Sequence, residues 1–254
     1  MTVSLIKEVE VGEVLETPAT PHTERMQNLI AEESMIEHSV GLGYAISYRQ
    51  EQQGRLIQNI VPVHKNEFQQ ISTSSKVTLA LHTETAFHPY KPDYVMLLCL
   101  RGDLTAITTY AEAQDILSEL DEKNIDILRQ ERFTTGIDIS FRSEGEGDKR
   151  IPITILKEHD GDFSFTYDAD LMVGTDVEAK RALLEIEKAI EKCTKEIILL
   201  KRDLLIIDNN KTVHGRKPFQ PKYNGFDRWV KRMLVRKTMP PSTVMNGHVV
   251  EYQF

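Results

Sequence analysis

The sequence predicts a mainly β domain, a barrel or sandwich decorated by helices. Three observations point there. The chain has many short apolar runs bounded by turn residues, and one long helical pattern comes late, near 176–200. It also lacks the regular strand–helix alternation and glycine-rich phosphate turn that a doubly wound sheet needs. Its 254 residues suit one such domain and can bury a sizeable core without covalent staples.

The elements follow in order. Residues 21–38 carry Met26, Ile30, Met35 and Ile36 and predict an early helix. From Val40 to Ile60 the pattern alternates and is punctuated by Gly41, Gly43 and Gly54, which predicts a short hairpin. Segment 77–81 (VTLAL) predicts a strand and 94–99 (YVMLLC) a buried one. Residues 110–129 set Ile116, Leu117, Leu120 and Ile127 on one helical face, and strands are expected at 136–141, 151–155 and 163–167. Residues 176–200 give the clearest helix, with Ala182, Leu184, Ile186, Ile190 and Ile197 among good helix formers. Strands at 202–207 and 229–236 complete the set. No repeat or linker divides the chain, so one domain over 1–254 with the late helix inserted is expected.

Composition removes several function classes. A net charge of −8 leaves no basic footprint for a nucleic-acid backbone. Cys99 and Cys193 are the only cysteines, too few for a disulfide framework or a CxxC metal site. The opening residues carry acids where a signal peptide needs an apolar run, and no stretch is apolar for long enough to cross a bilayer. A cytoplasmic location with no membrane partner is the expectation.

The chemistry concentrates in two segments. In LHTETAFHPY, His82 and Glu84 lie two apart after an apolar run, and residues i and i+2 of a strand share a face. Two histidines and one carboxylate make a facial triad with open positions, suited to non-haem Fe(II) and O₂. His214, in NNKTVHGRKPF at the end of a strand-like run, is the candidate second histidine. A competing pair, His22 and Glu24, opens a predicted helix, where residues two apart do not share a face, and reads as a surface feature. His38, His64, His159 and His248 have no carboxylate two residues on, and His88 either lines the same site or packs behind it.

Arg228 follows His214 by fourteen residues, in GFDRWVKR. A guanidinium is permanently charged and grips a carboxylate at two points, which suits the far end of 2-oxoglutarate when its keto-acid end chelates iron. Arg232 has the same strand parity and can face the same cavity, and a salt-bridge role is the alternative for either arginine.

The segments HTETAFHPYKPDYVMLLCLRGD at 82–103 and NNKTVHGRKPFQPKYNGFDRWVKR at 209–232 resemble the clavaminate synthase-like branch of the Fe(II)/2-oxoglutarate oxygenases. That branch includes hydroxylases of free asparagine and arginine. The resemblance is firm over about 77–110 and 202–236 and implies a double-stranded β-helix, or jelly-roll, core. It implies iron on His82, Glu84 and His214, and the cosubstrate's distal carboxylate on Arg228 and Thr108, with Thr109 as a competitor for the threonine. It places Arg232 at the substrate's α-carboxylate, Asp168 and its neighbour Asp170 at the substrate's polar group, and Ser72 at a substrate contact. Residues 49–55 offer Glu51, Gln52 and Gln53 for an amino group without a clear register.

Together these imply a hydroxylase of a free amino acid that consumes 2-oxoglutarate and O₂ and releases succinate and CO₂; the substrate is a basic one, of arginine or lysine type, if Asp168 and Asp170 both face the pocket, the alternative being that YDAD is a solvated turn. Halogenating relatives replace the carboxylate ligand with a small residue, so Glu84 points to hydroxylation or desaturation. A tethered, peptidyl or non-amino-acid substrate and a non-catalytic metal-binding barrel are the alternatives. Arg232 weighs against the tethered substrate, which has no free carboxylate, and Arg228 against the barrel.

Overall fold

The computed structural model describes residues 2–22, 28–142, 149–252 and 254. The chain opens with β1 (Val3–Ile6), α1 (Leu29–Ser39), β2 (Tyr44–Tyr48), β3 (Ile57–Ile60) and β4 (Leu79–His82). It continues through β5 (Tyr94–Arg101), β6 (Thr108–Glu112), α2 (Ala113–Ser118), α3 (Glu122–Leu128), β7 (Phe133–Gly136) and β8 (Arg150–Ile153). Then come β9 (Leu156–His159), β10 (Asp162–Phe165), β11 (Met172–Gly174), α4 (Val177–Cys193) and β12 (Lys195–Ile197). The last strands are β13 (Leu204–Asp208), β14 (Thr212–Arg216), β15 (Trp229–Arg236), β16 (Met245–Asn246) and β17 (Val249–Val250). Among the described residues no helix is long and apolar enough to cross a membrane.

Two sheets position the site. The larger runs β1-β13-β5-β15-β2-β17-β16 with β3 also on β15, and the smaller runs β12-β6-β14-β4. Strand parity sorts the side chains of β5. Val95, Leu97 and Cys99 enter one core with Leu205, Ile207 and Val230, whereas Met96, Leu98 and Leu100 enter a second with Ala31 and Met35 of α1. The same rule places two cations of β15 on opposite faces. Arg232 shares the face of Val230 and Leu234, and Lys231 points to α1, where its Nζ meets Glu32 at 2.6 Å. A third core is built by α4, whose Ala179, Ala182, Leu183, Ile186 and Ile190 pack with Ile116, Leu128 and Phe133. Asp176 caps that helix by accepting from the Ala179 N–H at 3.0 Å, and Arg132 pairs with the same carboxylate.

Several sequence expectations change. The early helix starts at Leu29, capped by Asn28; its buried apolar positions are Ala31 and Met35, with Ile30 and Ile36 exposed, and Met26 and Glu24 lie outside the described residues. The predicted hairpin at 40–60 is two strands laid in tandem along one edge of β15, Leu234 facing Ile46 and Arg232 facing Gln58. Both halves alternate correctly, but their common partner is nearly two hundred residues away, beyond any local pattern. The helix expected over 110–129 begins as β6, which pairs with β14, and then breaks into α2 and α3. The late helix stops at Cys193, because 195–197 are drawn onto the edge of β6, and Leu183 rather than Leu184 is buried. Of the strand predicted at 136–141, the ladder covers only up to Gly136, and Ile139–Phe141 form a single 3₁₀ turn.

Gly215 lies where β14 passes closest to β4. A Cβ there would sit 2.4 Å from the Leu79 carbonyl oxygen, at a register shift between His214 and Arg216. Gly215→Ala is expected to cost about 1–3 kcal/mol. In thermal denaturation, each kcal/mol lowers Tm by about 2–4 °C at this chain length. An unchanged Tm would show that β4 can move away freely.

Candidate active site

A cavity of about 420 Å³ opens between the two sheets, lined by Leu97, Val230 and Arg232 from the larger and by His82, Thr108 and His214 from the smaller. His82 ends β4 directly across from His214 in the middle of β14, with ring centroids 4.7 Å apart. His214 therefore sits within a strand, not at the strand-to-loop boundary read from the sequence. Glu84 lies past the end of β4, so strand parity is not what turns it inward.

Two pairs of hydrogen bonds and a backbone turn aim Glu84. Its N–H donates to Asn209 Oδ1 at 2.8 Å, and Asn209 Nδ2 donates back to the Glu84 carbonyl at 3.1 Å. Asn209 itself is fully buried in the turn before β14. Thr83 is bracketed by Tyr167, its N–H donating to the Tyr167 carbonyl at 2.7 Å and its Oγ1 accepting from the Tyr167 N–H at 3.0 Å. Thr85 then turns the chain at φ 49°, a left-handed conformation that β-branched residues rarely adopt and that gathers at functional sites.

His82, Glu84 and His214 each offer a ligand atom, and these atoms all lie within 4.8 Å of one another. This donor set fits a divalent iron. The Nδ1–H of His82 donates to the Ala80 carbonyl at 2.8 Å, which orients the ring and selects the tautomer whose Nε2 lone pair is free for a metal. His214 is buried, which pushes its pKa down and keeps the imidazole neutral as a ligand must be, although the nearby Glu84 carboxylate opposes the shift. Its Nδ1 is buried without a hydrogen-bond partner among the described residues. Burial pushes the Glu84 carboxyl up, but Arg232, the His214 contact and His82 outweigh it and hold it well below the usual carboxylate range. Arg232 Nη1 occupies Glu84 Oε1 at 2.8 Å, while Oε2 faces His214 Nε2 at 3.7 Å, leaving one carboxylate oxygen for the ion.

Arg232 is also gripped by Glu51 at 2.8 Å and by Gln58, its cross-strand neighbour. Burial lowers its pKa, and Glu51 and Glu84 raise it by more, so the guanidinium stays charged. The segment between β2 and β3 thus brings Gln50, Glu51 and Gln52 to the cavity, and of these Glu51 pairs with Arg232. Arg228 is different. It is buried in the cavity wall and makes no hydrogen bond or ion pair among the described residues; burial lowers its pKa, and Cys99 and Asp103 oppose that without contact. Thr108 lines the cavity, whereas Thr109, next along the strand, does not.

Asp168 forms a bridge to His82 and lines the cavity with Asp170. Its Oδ1 also accepts from the N–H groups of Asp170 and Leu171 at 2.9 and 2.8 Å, so it both shapes a turn and faces the site. Ser72 lines the cavity too. His88 does not; it packs among Tyr48, Phe141, Tyr252 and Phe254, where burial and then Arg236 push its pKa down to about 3. His22 is exposed at the cavity mouth.

Sequence reasoning passed over Asp138 and Arg216. Asp138 lines the cavity in the segment taken for a strand, and burial, then the charge of Asp168, push its carboxyl up to about 7. An acid inside the apolar run GIDISF was the available signal. Arg216 was visible as the residue two past His214, on the same strand face.

Residues 32–234 match the model of the taurine catabolism dioxygenase TauD, TfdA family. The chain belongs to that family. It is 37% identical over 198 residues to the L-lysine 3-hydroxylase of Catenulispora acidiphila, covering 76% of this chain and 55% of that protein. It is 32% identical over 234 residues to clavaminate synthase 2 of Streptomyces clavuligerus, covering 90% and 71% respectively. A crystal structure of the non-heme iron oxygenase OrfP in complex with Fe, succinate and (3R,4R)-dihydroxy-L-Arg superposes with a TM-score of 0.88 at 27% identity, covering 98% of this chain and 82% of that one. The chain thus spans little more than half the length of the lysine hydroxylase, and membership of the TauD/TfdA family brings the jelly-roll core that the resemblance implied.

Proposed function

We propose that this protein is an Fe(II)- and 2-oxoglutarate-dependent hydroxylase of a free amino acid with a basic side chain. The observation that carries this is one cavity holding a His–Glu–His cluster, its Glu84 and His214 buried, and, in the same wall, a buried arginine with no carboxylate partner among the described residues. His82, Glu84 and His214 hold the metal, and Arg228 with Thr108 receives the distal carboxylate of 2-oxoglutarate. Iron and cosubstrate supply the oxidation: one atom of O₂ enters a C–H bond of the substrate and the other enters succinate as CO₂ leaves. The protein orients the reactants and excludes water.

Arg232, fixed by Glu51 and Gln58, meets the substrate α-carboxylate, and Glu51 is placed for its α-amino group. Asp138, Asp168 and Asp170 form the acidic wall that receives a cationic side chain. The lysine 3-hydroxylase and OrfP comparisons support that substrate class. In a panel of free amino acids, succinate is expected to form only with Fe(II), 2-oxoglutarate and a basic member present. Background turnover with every amino acid would refute the assignment.

Asp138→Asn is expected to raise KM for the basic substrate about 10–100-fold, the loss of a hydrogen bond to a charged group worth about 1.5–3 kcal/mol. The pH profile adds a sign. Burial, then the charge of Asp168, push the Asp138 carboxyl up to about 7, with Glu84 and Glu51 adding and His82 opposing, so affinity for a cationic side chain rises as pH increases through about 7. The Asn variant is expected to lose that rise; a profile unchanged by it would place the charge elsewhere.

A further inference from the structure

One end of the cavity holds a second arginine beside Arg228. Arg216 is 4% exposed and faces the cavity from β14, directly across from Thr108 on β6. Its Nη1 donates to the Ser72 carbonyl at 3.2 Å and its Nη2 to Ser74 Oγ at 3.0 Å, both neutral acceptors. Its Nε is buried without a partner, and no ion pair forms to it among the described residues. Arg216 and Arg228 are both buried and line the same cavity. Two desolvated like charges side by side are costly unless an anion offsets them. A clasp on Ser72 and Ser74 alone would not require that charge, since a neutral donor could reach the same acceptors. Arg232 already has Glu51 and Glu84, so among the described residues the cavity arginines without a carboxylate partner are Arg216 and Arg228.

We propose that Arg216 is a second cation of the pocket for the distal carboxylate of 2-oxoglutarate, and that through its clasp on residues 72–74 it couples cosubstrate binding to the placement of Ser72. Cosubstrate binding offsets the repulsion between the two guanidiniums, fixes the fork of Arg216, and so holds the segment that forms the cavity wall at Ser72. Arg216 is a positioning residue with a charge role; the inference rests on Arg228 receiving the cosubstrate as proposed above.

The test is calorimetric titration of 2-oxoglutarate into the Fe(II)-loaded protein without oxygen, paired with hydrogen–deuterium exchange over residues 66–76. In the wild type, 2-oxoglutarate is expected to slow exchange there. Arg216→Met is expected to weaken binding at least about tenfold, or about 1.4 kcal/mol. Arg216→Lys keeps the charge but not the two-point fork, so affinity stays within about threefold while the protection is lost. Ser74→Ala removes one acceptor and is expected to reduce the protection at unchanged affinity. Wild-type exchange that does not respond to 2-oxoglutarate overturns the coupling. A folded Arg216→Met protein that binds normally overturns the charge role. If that variant does not fold, retained protection in Arg216→Lys decides against the proposal. Loss of binding in Arg228→Met alongside normal binding in Arg216→Met refutes only the role of Arg216; normal binding in Arg228→Met refutes the cosubstrate site itself.

Discussion

His82→Ala and His214→Ala each lower succinate formation by more than about a hundredfold. Loss of a group that merely supports a metal ligand already costs about 10–100-fold in affinity or activity, and these residues offer the ligand atoms themselves, clustered within 4.8 Å. The structural consequence differs between the two. His82 is part-exposed at the end of β4, whereas His214 is buried between β4 and β6. The His214 variant is therefore expected to lose stability as well as metal, and the His82 variant chiefly metal. Iron content by elemental analysis, read beside Tm, separates the effects. Full iron occupancy in the His82 variant would mean that the cluster does not hold the ion.

Arg228→Met weakens 2-oxoglutarate binding by about 30–3,000-fold, the range for truncating one partner of a buried charge pair at about 2–5 kcal/mol. Because the distal carboxylate lies away from the reacting atoms, the loss falls on KM for 2-oxoglutarate, and kcat at saturating cosubstrate is largely kept. Arg228→Lys retains the charge without the planar fork and falls between. Arg228 has no contact acid to leave stranded, so Tm is expected to hold or rise when its charge is removed. A Met variant with unchanged KM for 2-oxoglutarate would place the anchor elsewhere.

The site was legible where the chemistry is carried by residue type and by strand parity within a short window. Arg232 between Val230 and Leu234 reads directly as a cation on a buried face, and β15 places it there. The His82–Glu84 pair was legible by residue type, but for a partly mistaken reason. Glu84 is turned inward by Asn209 and by the left-handed Thr85, and Asn209 lies 125 residues away from it in sequence. Asp138 was hidden because the alternation of GIDISF suits a strand, whereas the ladder with β8 stops at Gly136. The tandem β2 and β3 show the same limit: each has strand periodicity, and neither says which partner it will take. Local pattern specifies what can be buried, and the partner that buries it is chosen by contacts far along the chain.

The central claim is that this cavity inserts one oxygen atom of O₂ into a free basic amino acid while converting 2-oxoglutarate to succinate. The most direct measurement is mass spectrometry of the reaction of Fe(II)-loaded protein with 2-oxoglutarate and lysine, ornithine or arginine under ¹⁸O₂. The account predicts one ¹⁸O in the hydroxylated amino acid and one in succinate, with both lost in His82→Ala. Labelled succinate without a labelled amino acid from any of the three substrates would contradict the substrate class, and absence of label from succinate would contradict the oxygenase assignment.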